Sequence, residues 1–370
     1  MNVIYLTTHI RDADFASLKG EKKPNPAGQN FHGKLIRALG IESQVHVYSL
    51  LSSLTPEIEA KSFRYDDHID YHYVRGNKNR YLRALTLPSS LATRAAKQNK
   101  GRSDNVVLYD SLNATLGLAA RKIASKLHCP YVAILTDEVS NITGVDPSFM
   151  ERIHRMVKKS SASIALTEGL VRSYELHDKP SLIQPIYVEK VEVTPIVRER
   201  PYIYYGGALF EKDGAADLLS CYPLFKKDYG LVISGHGPME KEIQEAAEKE
   251  EGIIFLGQVP KAEHYAYIAG SAIAVNPRHY NPGLDATSVP SKVMEYLTYA
   301  KTIISCLSSP IRKEFGDDIN WISSDLEAFL KQKGLKRLKP NQSSEKLLAK
   351  YGKEASGKAL NEFLSTLGAR

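Results

Sequence analysis

Val275-Asn276-Pro277-Arg278, then Asp285, then Thr287-Ser288-Val289-Pro290-Ser291-Lys292-Val293-Met294-Glu295-Tyr296-Leu297: this stretch decides how the rest of the sequence is read. The apolar run Ala272 to Val275 has the composition of a buried strand, and it ends in a short polar loop. Ser and Thr beside Pro290 then mark a helix start, which leaves the first-turn N–H groups around Ser291 and Lys292 free. Free amides at the positive end of a helix suit an anion, and a diphosphate is one that would fit. Glu295 lies four residues after Ser291 on the same helical face, where its carboxylate would accept hydrogen bonds from sugar hydroxyls. A capped surface helix with Glu295 in solvent explains this segment equally well.

Working outward, strand-like runs alternate with amphipathic segments over most of the chain, which predicts parallel sheets with helical crossovers. The candidates in the first half are Val3–Leu6, Gln44–Ser49, Val106–Tyr109, Tyr131–Leu135 and Ser163–Leu166. In the second half they are Tyr202–Tyr205, Gly230–Ser234, Gly252–Phe255, Ala272–Val275 and Thr302–Ile304. Two doubly wound α/β domains of Rossmann type are therefore expected. Lys179 to Pro201 carries four prolines and no helical period, so the boundary is placed near 195. Residues 1–195 form the first expected domain and 196–342 the second. Residues 343–370 form a helical tail able to pack back on the first domain or on the second.

Composition narrows the function. A chain of 370 residues, 43% hydrophobic and 25% charged, is long enough for two cored domains at roughly 100–200 residues each. The formal charge of +7 is modest, and nucleic-acid binders concentrate basic residues more strongly, so no nucleic-acid partner is indicated. Cys129, Cys221 and Cys306 are too far apart to read as a disulfide framework or a metal clip. No signal-peptide pattern opens the chain and no apolar run approaches the ~18 residues of a membrane span, so a cytoplasmic location is expected.

Ligands of doubly wound sheets bind where loops leave the carboxyl ends of strands. Besides the opening stretch, three such loops stand out. Gly28 precedes a helix expected from His32 to Leu39 and either admits an anion or merely permits a turn. Gly206-Gly207-Ala208-Leu209-Phe210-Glu211-Lys212-Asp213-Gly214 offers close backbone approach and, in Lys212, a cation for phosphate or a solvated surface charge. Gly235-His236-Gly237 follows the strand Leu231-Val232-Ile233 and is weak evidence alone.

The order of these elements resembles the donor half of family 4 glycosyltransferases. It runs from a Gly-Gly-Lys loop through strand-Gly-x-Gly and Ile254-Phe255-Leu256-Gly257-Gln258-Val259 to Asn-Pro-Arg and Pro-Ser-Lys-x-x-Glu-Tyr, and the resemblance covers residues 202–305. It is looser in the first half, where Ala27-Gly28, Leu135-Thr136-Asp137 and Ile164-Ala165-Leu166-Thr167-Glu168 carry it. The resemblance implies the GT-B fold, two Rossmann-like domains facing a central cleft. It implies a donor diphosphate contacted by Gly207 and Lys212, a nucleotide pocket lined by Gly235, Gly237, Gly257 and Val259, and a phosphate-cradling helix start at Ser291 and Lys292. Glu295 matches the later acid of the Glu-x7-Glu motif, expected on the ribose. The earlier acid falls on Thr287, so Asp285 is a candidate substitute, and Arg278 a candidate for the cation missing at Gly207.

The family's chemistry is transfer of a hexose-type sugar with retention of anomeric configuration, with Lys212 serving the leaving group and Asp137 either orienting the acceptor, stabilising the positively polarised sugar carbon or merely capping a loop. Lysine, arginine and a helix start stabilise that leaving group without a bound metal, so neither metal nor cofactor is expected beyond the nucleotide-sugar donor, UDP-linked by preference. The acceptor class implied is a glycan or lipid-linked saccharide, as in bacterial cell-surface polysaccharide synthesis. From Arg75 to Arg102 there are eight Lys and Arg and no acid, interleaved with Tyr81, Leu82, Leu85, Leu87 and Leu91. Such a segment either rests on an anionic membrane, placing the protein at the inner face of the cell membrane, or is a solvated basic helix. Two other readings remain open: a sugar-nucleotide epimerase on the same fold, and a non-catalytic partner subunit, which Thr287 favours. Oligomeric state is not legible.

Overall fold

The computed structural model describes residues 1–18, 24–52, 54–77, 79–142, 144–185, 187–323 and 325–368; Lys78 of the basic segment therefore lies outside the described residues. The chain divides into two compact units, Met1–Tyr187 with Lys353–Arg370, and Val188–Gly352.

The first unit begins with β1 (Asn2–Thr7), α1 (Asp12–Ala16), α2 (Pro26–Leu39), β2 (Gln44–Leu51), β3 (Ser62–Arg64) and β4 (Ile69–Arg75). It continues with α3 (Arg80–Gln98), β5 (Asn105–Asp110), α4 (Ala114–Leu127), β6 (Tyr131–Leu135), α5 (Pro147–Lys158), β7 (Ala162–Ala165), α6 (Glu168–Ser173) and β8 (Ser181–Ile183). The eight strands run in the order β3-β4-β2-β1-β5-β6-β7-β8, all parallel except for the β3–β4 pair. β1 and β5 are buried along their whole length because helices cover both faces. Phe31, Leu35 and Ile36 of α2 pack on one face, and Leu91, Leu116 and Ile153 of α3, α4 and α5 on the other.

The second unit holds β9 (Tyr202–Ala208), α7 (Ala215–Ser220), α8 (Tyr222–Phe225), β10 (Gly230–His236), α9 (Glu240–Lys249), β11 (Ile253–Phe255) and α10 (Lys261–Gly270). Then come β12 (Ile273–Asn276), α11 (Pro282–Thr287), α12 (Ser291–Tyr299), β13 (Ile303–Cys306), α13 (Ser309–Phe315), β14 (Asn320–Ile322), α14 (Leu326–Lys333) and α15 (Ser344–Tyr351). Its parallel sheet runs β11-β10-β9-β12-β13-β14. Strand order reverses between β9 and β12, so their carboxyl ends flank the crevice where such sheets take ligands.

The structure departs from the sequence reading at β4, at β8, at the domain boundary and in the tail. β4, Ile-Asp-Tyr-His-Tyr-Val-Arg, does not look apolar, yet Tyr71 and Tyr73 are buried with their hydroxyls bonded to His9 Nδ1 (3.1 Å) and Asp14 Oδ2 (2.6 Å). β8 arises inside the proline-rich stretch read as a connector. The units part at Tyr187/Val188 and not near 195: Val188 N donates to Tyr351 O (2.8 Å) and Ile196 N to Ala266 O (3.0 Å), which ties this strand of chain to the second unit. The tail divides at Gly352. α15 stays with the second unit, while α16 (Lys353–Gly368) buries Leu360 and Leu364 in the core beneath α2.

That last contact is testable. Leu364→Ala removes a fully buried side chain and is expected to cost the first unit ~2–5 kcal/mol. Hydrogen exchange should then accelerate across residues 1–187 and leave 188–352 unchanged.

Candidate active site

Loop contacts at the ends of β9, β10 and β12 assemble one site in the second unit. Gly207 and Gly235 both adopt φ +148°, a conformation open to glycine and strained for other residues. A Cβ on Gly235 would lie 1.8 Å from Gly207 O, and one on Gly207 would lie 2.9 Å from Lys292 Nζ. Gly235 N donates to Gly257 O (2.8 Å), Leu209 N to His236 O (3.1 Å) and His279 N to Lys212 O (3.1 Å). Four segments that the sequence separates are thus linked in series: Gly257, the Gly235 loop with Gly237, the Gly207 loop, and the Arg278 loop.

The cations here are unusually poor in partners. The Lys292 ammonium is 3.1 Å from Tyr205 Oη and 4.4 Å from the centre of its ring, and among the described residues it makes no ion pair. Burial, opposed by Asp213 and reinforced by Arg278, lowers its pKa to about 8. Arg278 is half-buried and has neither a hydrogen-bond nor an ion-pair partner among the described residues. Lys212 is exposed, 5.8 Å from the Phe210 ring centre. The N-cap of α12 is Pro290, which supplies no side-chain cap, so the helix start at Ser291 is left open.

Glu295 belongs to a network that sequence reasoning missed. His264 Nε2 lies 3.3 Å from Glu295 Oε2, and Tyr265 Oη donates to Oε1 at 3.4 Å. The other ring nitrogen of His264 meets Tyr204 Oη (2.7 Å), which meets Ser234 Oγ (2.5 Å). One consistent proton order runs from Ser234 through Tyr204 and His264 to the carboxylate. Gly206 makes the arrangement possible, since a Cβ there would lie 2.4 Å from the His264 ring. The missed signal was Lys261–Gly270 as a helix that carries His264 and Tyr265 back toward α12.

Other expected residues have different employment. Asp285 accepts a hydrogen bond from Ser309 N (2.8 Å) and another from Ser309 Oγ, so it holds the start of α13. Thr287 is buried and returns its hydroxyl to Gly283 O (3.1 Å) within α11. In the first unit, α2 begins at Pro26 under an Asn25 cap, which puts Gly28 in its first turn with open space where a Cβ would stand. Asp137 accepts from Glu138 N (2.8 Å) and Asn141 Nδ2 (2.8 Å). Its loop is clamped by Glu138, which meets His154 Nε2 (2.8 Å) and Ser173 Oγ (2.5 Å). Among the described residues no cluster of three or more His, Cys, Asp or Glu is suited to a metal ion.

Residues 189–355 match the family model of glycosyl transferases group 1. No curated protein matches the sequence. Among solved structures, Anabaena HepE in complex with UDP is 12% identical, with 99% of this chain and 100% of that one covered and a TM-score of 0.70. Sucrose-phosphate synthase from Thermosynechococcus elongatus is 12% identical, covering 99% and 95%, with a TM-score of 0.63. A trehalose-phosphate synthase (UDP-forming) from Burkholderia vietnamiensis is 10% identical, covering 100% and 99%, with a TM-score of 0.64. The fold is GT-B, two parallel-sheet α/β domains.

Two outcomes follow from this geometry. Lys292→Met should weaken the binding of a nucleoside diphosphate roughly tenfold or more, the loss of one charge-assisted contact of ~1.5–3 kcal/mol, measured by calorimetry. His264→Ala should raise KM for the donor more than it lowers kcat by freeing Glu295, and His264→Gln should restore much of the loss.

Proposed function

We propose that this glycosyltransferase, whose residues 189–355 carry the group 1 family match, moves a hexose-type sugar from a UDP-sugar to a glycan or lipid-linked saccharide with retention of configuration. The observation that carries the reading is the approach of the Gly207 backbone to the Lys292 ammonium at the open start of α12. Together they make a cationic, amide-lined nook of the kind a diphosphate occupies. Two structures of the similar Anabaena HepE are complexes with UDP, one of them with glucose as well, which favours a uridine donor here.

In this reading Lys292, Arg278 and Lys212 face the diphosphate, and Glu295, held by His264 and Tyr265, accepts the ribose hydroxyls. As the bond between the anomeric carbon and the phosphate oxygen breaks, its electron pair stays on the diphosphate, and the three cations stabilise the added charge. The acceptor hydroxyl attacks the same face, and its proton passes to the departing phosphate oxygen. Asp137 orients the acceptor. With Asp285 and Thr287 engaged elsewhere, recognition of the transferred sugar rests on other groups, among them backbone amides. Work at the inner face of the cell membrane belongs to the same proposal, because α3 exposes Tyr81, Leu82 and Leu85 within an acid-free basic segment. No helix among the described residues is long and apolar enough to cross a membrane.

The test is a panel of UDP, GDP, ADP and dTDP sugars with saccharide acceptors, read by mass spectrometry and by the anomeric coupling of the product. UDP release tied to an anomerically retained glycoside is expected, and Glu295→Gln should lower kcat/KM about 10- to 100-fold. Sugar-nucleotide conversion without any acceptor, or an inverted product, would contradict the proposal.

A further inference from the structure

α3, α4 and α5 lie side by side on one face of the first unit's sheet, their inner sides buried in a single core. α3 and α4 contain no acidic residue, and α5 has one, Glu151. Between α4 and α5 runs a groove of about 110 Å³ rimmed by Arg121, Arg152, Arg155 and Lys159, with Leu118 and Met156 as its apolar floor. Gly117 brings the two helices together. A Cβ there would lie 1.9 Å from Met156 Sδ, so the thioether packs against bare helix backbone.

Ordinary structural roles account for only two of the four cations. Arg155 pairs with Glu151 one turn away, and Lys159 caps the carboxyl end of α5, where the helix dipole favours a positive charge. Arg121 has no acidic partner among the described residues. Arg152 makes no ion pair among the described residues, although its charge acts on Asp146 at the start of α5, and its guanidinium lies 5.3 Å from the Phe149 ring centre. The four cations are exposed and repel one another only modestly through solvent, but no acid is among the residues that line the groove between them. Leu118, 44% exposed, adds apolar surface inside the ring of charge, and α3 next to it exposes Leu82 and Leu85. The complement of such a groove is a phosphate attached to an apolar body.

We infer that the α4–α5 groove binds the phosphate headgroup of an anionic membrane lipid, with Arg121 and Arg152 on the phosphate and Leu118 in the lipid interface. The site lies wholly in the first unit and does not depend on the donor reading, so it is measured without nucleotide. Vesicles of phosphatidylcholine alone and with phosphatidic acid are floated with the full chain at low salt. The chain should rise only with the anionic vesicles, and Arg121→Gln/Arg152→Gln should weaken partitioning roughly thirtyfold, as expected when two basic side chains leave an anionic surface. Lys241→Gln/Lys249→Gln, an equal charge change on α9, should leave it unaltered. Equal losses in both double variants would mean diffuse charge and overturn the site. In thermal melts, short-chain phosphatidic acid should stabilise the wild type more than the same concentration of inorganic phosphate. Equal stabilisation by both would assign the groove to a soluble anion and overturn the lipid assignment. The same melts check folding: at low salt without ligand, the Arg121→Gln/Arg152→Gln variant should be at least as stable as wild type, since it loses the repulsion. A lower melting temperature would instead make these arginines structural, against the inference.

Discussion

A half-buried ammonium held by a phenol and the face of its ring, with no carboxylate at ion-pair distance among the described residues, is the constraint on which the donor half depends. A lone charge removed from water costs several kcal/mol unless something compensates it, and Tyr205 alone is weak compensation. The chain keeps Lys292 in this position, with its pKa lowered to about 8, and Arg278 beside it has no partner among the described residues. Adjacent glycines keep side chains out of the space that the ammonium faces. An anion entering that space would supply the missing counter-charge, which is why the proposed diphosphate site is placed there.

Hydroxyl-tipped aromatics build much of the surrounding scaffold. Tyr204, Tyr205 and Tyr296 are fully buried, and each uses its hydroxyl: Tyr204 on Ser234 and His264, Tyr205 on Ala208 O, Tyr296 on the amide of Gly206 and on Val275 O. Such side chains fill the core and at the same time fix the polar groups at its edge. Glu295 is aimed by this layer through His264, so what the sequence presents as an isolated acid on a helix is the end of a four-residue chain. The same tactic serves the first unit, where Tyr174 donates to Asp137 O and accepts from Val139 N.

What could be read from the sequence was local. Gly207, Gly235, and Ser291 with Lys292 announce themselves because backbone conformation and helix starts are properties of a few consecutive residues, and apolar runs locate β1, β2, β5, β6, β7 and β9 to β13. Contacts made across many residues did not show. His264 and Glu295 are 31 positions apart, and only the docking of α10 on α12 brings them together. Asp285 seemed a replacement acid by its spacing, yet α13 lies within its reach and takes it. β4 was hidden because tyrosine and histidine read as polar until their hydroxyl and ring nitrogens are seen to be bonded. Gly28 reads as a loop glycine unless Asn25-Pro26 is taken as a helix start, a signal as good as Pro290-Ser291.

The most direct measurement is proton uptake on nucleotide binding, from calorimetry of UDP at pH 8 in buffers of differing ionisation enthalpy. Lys292 is lowered in the folded protein, so near pH 8 about half the molecules hold it neutral, and a bound diphosphate favours the charged form. Uptake of about half a proton per UDP, absent in Lys292→Met and fading below pH 7 where the amine is already charged, is what this account predicts. Tight UDP binding with no proton uptake at pH 8 would contradict it, because the diphosphate would then be held away from the Lys292 ammonium.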